Sequence, residues 1–587
     1  MDEITPDTIA RMASRIFNEP PQVDSHAGAE PHSGDVPADA ASPASHYGSV
    51  PVSVHSWPHM PTTPPVTPPM PAGTPSMVPP TSLPTTPAPA MFTAPPADFV
   101  VPSSVASNVP HASAEPFGSP GTAVAPPTTG ASSGTSPSGL SAFVARVRES
   151  NLDRSTGLDI FGHSFRERIA PAAVSPTTSS RPFDVSAIRN DFPILSQRVH
   201  GKPIAWFDNA ATTQKPQAVI DAISRFYAQD NSNIHRGAHT LAARATDAYE
   251  KAREKVQTFL GASSIKDIVF VRGTTEGINL VTQTYGRKFL QPGDEIVMSV
   301  LEHHANIVPW QMVAKEKGAV IRVIPVNDRG EIMLEEYQKL LGPRTKVVAL
   351  TQASNSLGTI LPVAEMTQMA KRYGARVLVD GAQSVAHIPV NVQEMGVDFF
   401  VFSGHKIFGP TGIGAVYVSE ELHDVLPPWQ GGGNMIRNVT FEETSYAEAP
   451  ARFEAGTPNI ADAVGLGAAL DYVRRLGLPN IANYEHSLLA YATEQLSTVN
   501  GLRIIGNARE KVSVISFVMP NRRTEEIGRL LDQEGIAVRA GHHCSQPSLR
   551  RFGLETTVRP SLSIYNTTGE IDRMVETLKR IEQQPSR

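Results

Sequence analysis

The sequence predicts an α/β protein with a large domain on a mostly parallel sheet, a smaller C-terminal α/β domain, and a disordered tail ahead of both. Three observations predict it. Of the 51 prolines, 31 fall in the first 180 of 587 residues. Lysine is missing from that stretch and first occurs at Lys202. Beyond it, short apolar runs rich in β-branched residues alternate with amphipathic segments, the pattern of strands joined by crossover helices.

Residues 1–180 carry 7 arginines and 14 acids, while the whole chain has a net charge of -6, so the remainder is close to neutral. Stretches such as 61–71 and 79–96 lack apolar periodicity, and proline supplies no helix donor. Extended, solvated chain of polyproline II character is expected there. As a flexible coil of 180 residues its ends lie about 75 Å apart. Apolar islands interrupt it. Ile9, Met12, Ala13 and Ile16 share one helix face, with Thr5 as cap, Pro6 at the first position, and Pro20 and Pro21 as the stop. Leu140, Phe143, Val144 and Val147 repeat the spacing; Leu158, Ile160, Phe161 and Phe165 follow, and Phe92, Phe99, Val100 and Val101 form a smaller patch. Helices this short are marginal alone in water. They read as transient helices docking back on the parent domain, or as linear motifs that hold a partner.

Composition excludes several classes. No run of about 18 apolar residues is present, so no membrane-spanning helix is expected. A basic start followed by an apolar segment is missing, so no secretory signal is expected. The absence of a long basic block argues against a nucleic-acid partner. The one cysteine, Cys544, rules out an internal disulfide, and also a four-cysteine zinc site or iron–sulfur cluster held by this chain alone. A reducing cytoplasm is the natural setting.

The apolar runs are 268–271, 295–300, 319–325, 346–351, 376–379 and 398–403, with helices expected over 246–260 and, after Pro362, over 363–373. In parallel sheets ligands gather beyond the carboxyl ends of the strands. The first run leads into Gly273, Thr274 and Thr275, whose exposed N–H groups suit a phosphate, or form merely a turn. Asp380 and Gln383 follow 376–379; a buried carboxylate there asks for a cation, unless it caps the next helix. Ser403, Gly404, His405 and Lys406 end the last run, and a lysine so placed is rare unless it snorkels to the surface. After 295–300 come Glu302, His303, His304, Ala305 and Asn306. Two consecutive histidines rarely point at one ion, so no metal site is expected. Pyridoxal 5'-phosphate matches these ends: it needs a lysine for its aldehyde, an acid for its pyridine nitrogen and an anion site for its phosphate. Lys406, Asp380 and the 273–275 turn supply them, and His303 is left to cover the ring.

The longer motifs are specific. They are residues 208–213 (DNAATT), His235-Arg236-Gly237, 272–276 (RGTTE), 302–306 (EHHAN), 380–383 (DGAQ), 403–406 (SGHK), 452–458 (RFEAGTP) and 539–544 (RAGHHC). In this order, from about 183 to 581, the chain resembles the SUF-type (group II) cysteine desulfurases, fold-type I pyridoxal-phosphate enzymes of the class V aminotransferase group. The resemblance implies roles. Lys406 would join the cofactor aldehyde and later move the substrate Cα proton. Asp380 would pair with the pyridinium and Gln383 with the phenolic oxygen. Thr274, Thr275, Ser403 and His405 would hold the phosphate, with Thr457 reaching in from a second subunit. His303 would stack on the ring and transfer protons. Asn355 would touch cofactor and substrate; Arg559, Arg539, Ala211, His235 and Arg236 would line the substrate side. Cys544 would take sulfur from L-cysteine as a persulfide and leave L-alanine. A thiol of ordinary pKa, about 8.5, needs a base or cation to ionise at neutral pH; His542, His543 and Arg539 stand near in sequence.

The same resemblance divides the chain into a tail at 1–180, an N-terminal segment with the large cofactor-binding domain at 181–445, and a small domain carrying Cys544 at 446–587. It implies a homodimer, a short cysteine segment of the group II form, and a sulfur-acceptor protein. The tail resembles the extensions of cysteine desulfurases packaged as cargo in encapsulin shells. Alternatives stay open: a selenocysteine lyase, a soluble desulfurase feeding iron–sulfur cluster assembly, another pyridoxal-phosphate lyase or aminotransferase, and a scaffold that retains the enzyme fold.

Overall fold

The computed structural model describes residues 183–235 and 237–584. The predicted tail with its islands, and Arg236, lie outside the described residues. The centre is a seven-stranded sheet. Its strands in chain order are β1 (Ile268–Val271), β2 (Glu295–Ser299), β3 (Val320–Ile324), β4 (Thr345–Thr351), β5 (Arg376–Asp380), β6 (Phe399–Ser403) and β7 (Gly414–Val418). Across the sheet they lie in the order β1-β7-β6-β5-β4-β2-β3. All neighbours are parallel except that β7 runs antiparallel to both β1 and β6. The six expected runs are all strands, shifted by a residue or two. β7 is the one that the expected set lacks.

Side-chain alternation explains why the runs are continuously apolar. Val377, Val379, Phe400 and Phe402 enter one core cluster, while Leu378, Phe399 and Val401 enter the other, on the opposite face. A strand buried on both faces has no polar side. Each Val, Leu or Phe so buried contributes about 1.5–3 kcal/mol.

Helix α1 (Thr240–Leu260) starts at Thr240 rather than 246, because His239 Nδ1 accepts the N–H of Ala242 as a cap. It stops at Gly261, whose φ of 67° suits glycine. Helix α2 (Thr274–Val281) follows β1 directly, and α3 (Val363–Lys371) ends two residues earlier than expected. Helix α4 (Ile460–Leu476) lies against α1 so closely that a Cβ on Gly467 would sit 3.2 Å from that of Ala252. The core of the large sheet therefore continues past residue 446. A separate core joins Ala205 and Phe207 to α5 (Leu478–Ser497), α6 (Thr568–Gln583) and a four-stranded antiparallel sheet. Its strands are β8 (Arg503–Ile505), β9 (Ser516–Val518), β10 (Arg539–Gly541) and β11 (Thr557–Arg559), in the order β8-β9-β11-β10. Residues Ala205–Trp206 pair in parallel with Ile536–Ala537 and so bridge to this smaller core, while Ile188, Phe192, Leu195 and Ile204 ahead of them pack in the core of the large sheet. Among the described residues no helix is long and apolar enough to cross a membrane.

A buried ion pair ties these layers. Glu454, in the RFEAGTP motif, accepts from Arg253 at 2.6 and 3.0 Å, from the Tyr249 hydroxyl at 3.1 Å and from the Phe270 N–H at 2.7 Å. Arg253 is 1% exposed. Glu454→Ala strands that guanidinium, so urea unfolding should show a loss of about 3–5 kcal/mol. Arg253→Met combined with Glu454→Leu should recover most of it.

Candidate active site

Five strands of the large sheet, β1, β2, β4, β5 and β6, deliver polar residues to one cavity of about 580 Å³. Thirteen of the residues expected at the site line it: Ala211, Thr274, Thr275, His303, Asn355, Asp380, Gln383, Ser403, His405, Lys406, Arg539, Cys544 and Arg559. Two described ones do not. Thr457 lines a neighbouring cavity with Arg272, Glu276 and Trp429. His235 is turned to Glu250, at 2.8 Å. Within one chain neither joins the site.

Beyond β1, Gly273 has φ 151°, and a Cβ there would come within 3.1 Å of Ser403 Oγ. The bare backbone leaves a cradle at the start of α2. The Thr274 N–H donates to Ser403 Oγ at 2.8 Å, and the Thr274 and Ser403 hydroxyls meet at 2.8 Å. A helix N-terminus with two hydroxyls beside it suits a phosphate dianion. His405 borders the cradle, its pKa lowered to about 4 by burial and the nearby Lys406 and Lys215 charges. It is a neutral imidazole there.

Beyond β5, Asp380 is 4% exposed and accepts the Ala382 N–H at 2.9 Å. Burial raises its pKa; that N–H and the Lys406 charge oppose the rise. Gln383 donates one amide hydrogen to the Ala210 carbonyl at 2.6 Å, which fixes its orientation. Beyond β6, burial lowers Lys406 to about 8, against the pull of Asp380. Beyond β2, Glu302 is fully buried and raised to about 8 by desolvation, while Asn306 and the Thr351 N–H donate to it at 2.7 and 2.9 Å. His303 follows. Its Nδ1 accepts the Ala305 N–H at 3.0 Å, so Nε2 bears the proton. Burial and the charge of Lys406 hold it near 3, neutral at physiological pH.

The opposite wall comes from the smaller core. Arg559, 2% exposed, donates to the Asn355 carbonyl at 2.9 Å and to Asp208 at 3.3 Å, and its Nε has no partner. Burial lowers it to about 10, still a cation. Asp208 also receives a two-pronged contact from Arg539, at 3.1 and 3.0 Å. The Asn355 amide donates to the His543 carbonyl at 2.7 Å and accepts from Ser545 at 2.7 Å, so here it clamps the cysteine segment. The His304 N–H reaches the Cys544 carbonyl at 2.8 Å. His543 and Cys544 both have positive φ, 53° and 54°. Such residues cost of order 1–3 kcal/mol each and persist where surroundings over-determine them.

The structure redistributes the groups expected to assist the thiol. His543 is buried against the Thr557 hydroxyl at 2.8 Å, and Arg539 is held by Asp208. His542 stays at the thiol, its Nδ1 accepting the Cys544 N–H at 3.0 Å. The sequence reading gave no role to Asp208, to Glu302 or to His304 as a neighbour of Cys544. Asp208 had a signal, since two arginines converging on one cavity need a counter-charge; the others had none.

These residues fit pyridoxal 5'-phosphate: an amine of lowered pKa, a buried carboxyl lacking a strong cation, and a cradle that a Cβ would fill. The chain belongs to the aminotransferase class-V family, whose model matches residues 205–574. A probable cysteine desulfurase of Mycolicibacterium paratuberculosis is 62% identical over 399 residues, which is 68% of this chain and 58% of that protein. A cysteine desulfurase of Synechococcus elongatus is 62% identical over 68% of this chain and 64% of its own length. The chain thus spans less than two thirds of these relatives. One from Dickeya dadantii is 50% identical over 68% of this chain and 97% of its own. Two solved structures share the fold-type I architecture. The apo cysteine desulfurase of Thermococcus onnurineus has a TM-score of 0.65 at 37% identity, covering 68% of this chain and 97% of that one. The Escherichia coli cysteine desulfurase CsdA gives 0.64 at 40%, covering 68% and 98%.

The lysine assignment is testable without any substrate. The wild-type apoprotein should bind pyridoxal phosphate covalently after borohydride reduction, and Lys406→Ala should not. The neutral amine is the reactive form, so the rate of that condensation should climb with pH and level off above about 8.

Proposed function

We propose that the chain is a cysteine desulfurase of the SUF-type (group II): it moves sulfur from L-cysteine to Cys544 as a persulfide and releases L-alanine. One observation carries this reading. The sole cysteine of the sequence stands at the wall of the cavity that holds Lys406 and Asp380. Transamination needs no thiol there. The relatives named as desulfurases support the same assignment.

Pyridoxal phosphate, when bound, supplies an electron sink for the substrate's Cα. The chain's residues do the rest. Arg559 is a buried cation with a free Nε–H, suited to the substrate carboxylate. Asp208 holds it in place from behind. Asp380 supplies the charge that keeps a pyridine nitrogen protonated. Lys406, with a pKa of about 8, can take a proton from Cα and return it. His303 offers Nε2–H to a departing or arriving group. The Cys544 thiolate attacks the substrate sulfur, a sulfur–sulfur bond forms, and the carbon–sulfur bond breaks with its pair left on carbon. Protonation of that carbon gives alanine. Cys544 is exposed, which leaves the persulfide open to an acceptor protein.

Two finer readings belong to the proposal. The protein works as a homodimer, to whose boundary we assign His235, Arg236 and Thr457. Residues 1–180 carry short docking motifs, at 4–17 and 140–165, that load the enzyme into an encapsulin shell in a reducing cytoplasm. Their support is the proline-rich composition and the helical spacing of the apolar islands. A flexible tether raises effective concentration, so several weak contacts suffice.

Two outcomes test the proposal. Cys544→Ala should keep the absorbance of bound cofactor and release no alanine from L-cysteine; full sulfide production by that variant would count against the role. Deletion of 1–180 should leave alanine release unchanged and abolish co-purification with a co-expressed shell. Loading of the truncated enzyme would end the tail reading.

A further inference from the structure

The consecutive histidines 303 and 304 diverge, as sequence spacing led us to expect. Their ring centroids lie 6.3 Å apart. His303 turns into the cavity, and His304 meets two residues from the far end of the chain. The ligand atoms of His304, His542 and Cys544 all lie within 4.8 Å of one another. The imidazoles of His304 and His542 are stacked, with centroids 5.7 Å apart and planes 27° off parallel. His542 and Cys544 are exposed and His304 is half-buried, so the group opens to solvent.

We propose that His304, His542 and Cys544 form a binding site for a thiophilic transition-metal ion, of which Zn²⁺ is the type. Occupancy ties up the nucleophile and blocks sulfur transfer. The donor set is two imidazoles and a thiolate. Such sets select zinc-like ions over hard cations, which ask for oxygen ligands. Three protein ligands with solvent at the fourth position is the form of an open zinc site. A tetrahedral zinc needs such donors about 3.4–3.6 Å apart, so from separations within 4.8 Å the group must contract by about 1.2–1.4 Å at most. The exposed side chains of His542 and Cys544 are free to make that movement.

The resting hydrogen bonds set the strength. His304 Nε2 accepts the Gln546 N–H at 3.2 Å, and His542 Nδ1 accepts the Cys544 N–H at 3.0 Å. Each ring therefore bears its proton on the other nitrogen. Binding through either nitrogen breaks one of these bonds or moves that proton. The ion must displace two backbone contacts, so binding is reversible and yields to a chelator.

The inference rests on the desulfurase reading only for its consequence, since binding itself needs no turnover. Co²⁺ and then Zn²⁺ are titrated into the thiol-reduced holoenzyme without L-cysteine. One equivalent per chain should bind, with the intense visible bands of tetrahedral cobalt, and EDTA should remove it. Gel filtration and elemental analysis give the stoichiometry. His304→Ala, His542→Ala and Cys544→Ser should each weaken binding at least tenfold, with cofactor absorbance and circular dichroism confirming the fold. Alanine release by the wild type should fall with Zn²⁺ occupancy and return with EDTA. Failure of stoichiometric binding, or binding unchanged in all three variants, overturns the proposal. Binding by a protein that never releases alanine would instead overturn the desulfurase reading and leave the metal site standing.

Discussion

The structure depends on two opposite charges held at adjacent strand ends with little water between them. β5 and β6 are parallel neighbours, so Asp380 and the turn that bears Lys406 emerge on the same side of the sheet. Neither group is well solvated. Burial drives the amine down to about 8 and the carboxyl up, and each charge opposes the other's shift. An isolated charge in this place would cost several kcal/mol. Three side chains beside them add no charge: His303 and His405 are depressed into the neutral form, and Glu302 at about 8 is mostly protonated at neutral pH. The cations on the facing wall, Arg559 and Arg539, push Lys406 further down. A cofactor with one anionic and one cationic end enters a site already polarised for it.

The second requirement is to bring a thiol from a different core to those strand ends. Hydrogen bonds, not apolar packing, do most of this. Asn355, after β4, holds the His543 carbonyl and the Ser545 hydroxyl; Arg559 holds the Asn355 carbonyl; Asp208 holds Arg559 and Arg539 together. The left-handed residues at 543 and 544 are the local cost of the path. Sites built this way can relax. If Arg559 turns toward a substrate carboxylate, Asp208 keeps Arg539 as its partner and is never left as a bare buried charge.

The strand ends were legible because chemistry interrupts a strong pattern. In 398–403 a strongly apolar run breaks into Ser403, His405 and Lys406, and the contrast itself is the signal. The same logic picked out Asp380, Gln383 and the 273–275 turn. β7 was less legible because it ends no motif: its one polar-free run, 414–418, follows a glycine-rich loop and inserts between β1 and β6 by a long-range pairing. The start of α1 was missed because its cap is a histidine, an uncommon N-cap residue. Asn355 shows a subtler limit. Its place at the cavity was implied by the family resemblance alone, and only the fold shows that its amide is spent on the cysteine segment.

Proximity across the chain is what sequence hides most. His304 and Gln546 are 242 residues apart, yet the N–H of one meets the ring of the other. That contact gives the cysteine segment a second face. Toward the cavity, Cys544 shares a wall with Arg559 and faces the space that Lys406 lines. Toward solvent, it sits against two imidazoles whose tautomers are set by backbone N–H groups. On the proposed desulfurase reading the thiol has to be exposed to hand sulfur outward, and exposure brings any thiophilic species to the same atom. Shielding the thiol would remove the hazard and the delivery together. The two requirements conflict at a single residue, and two histidines already in place there make the conflict concrete.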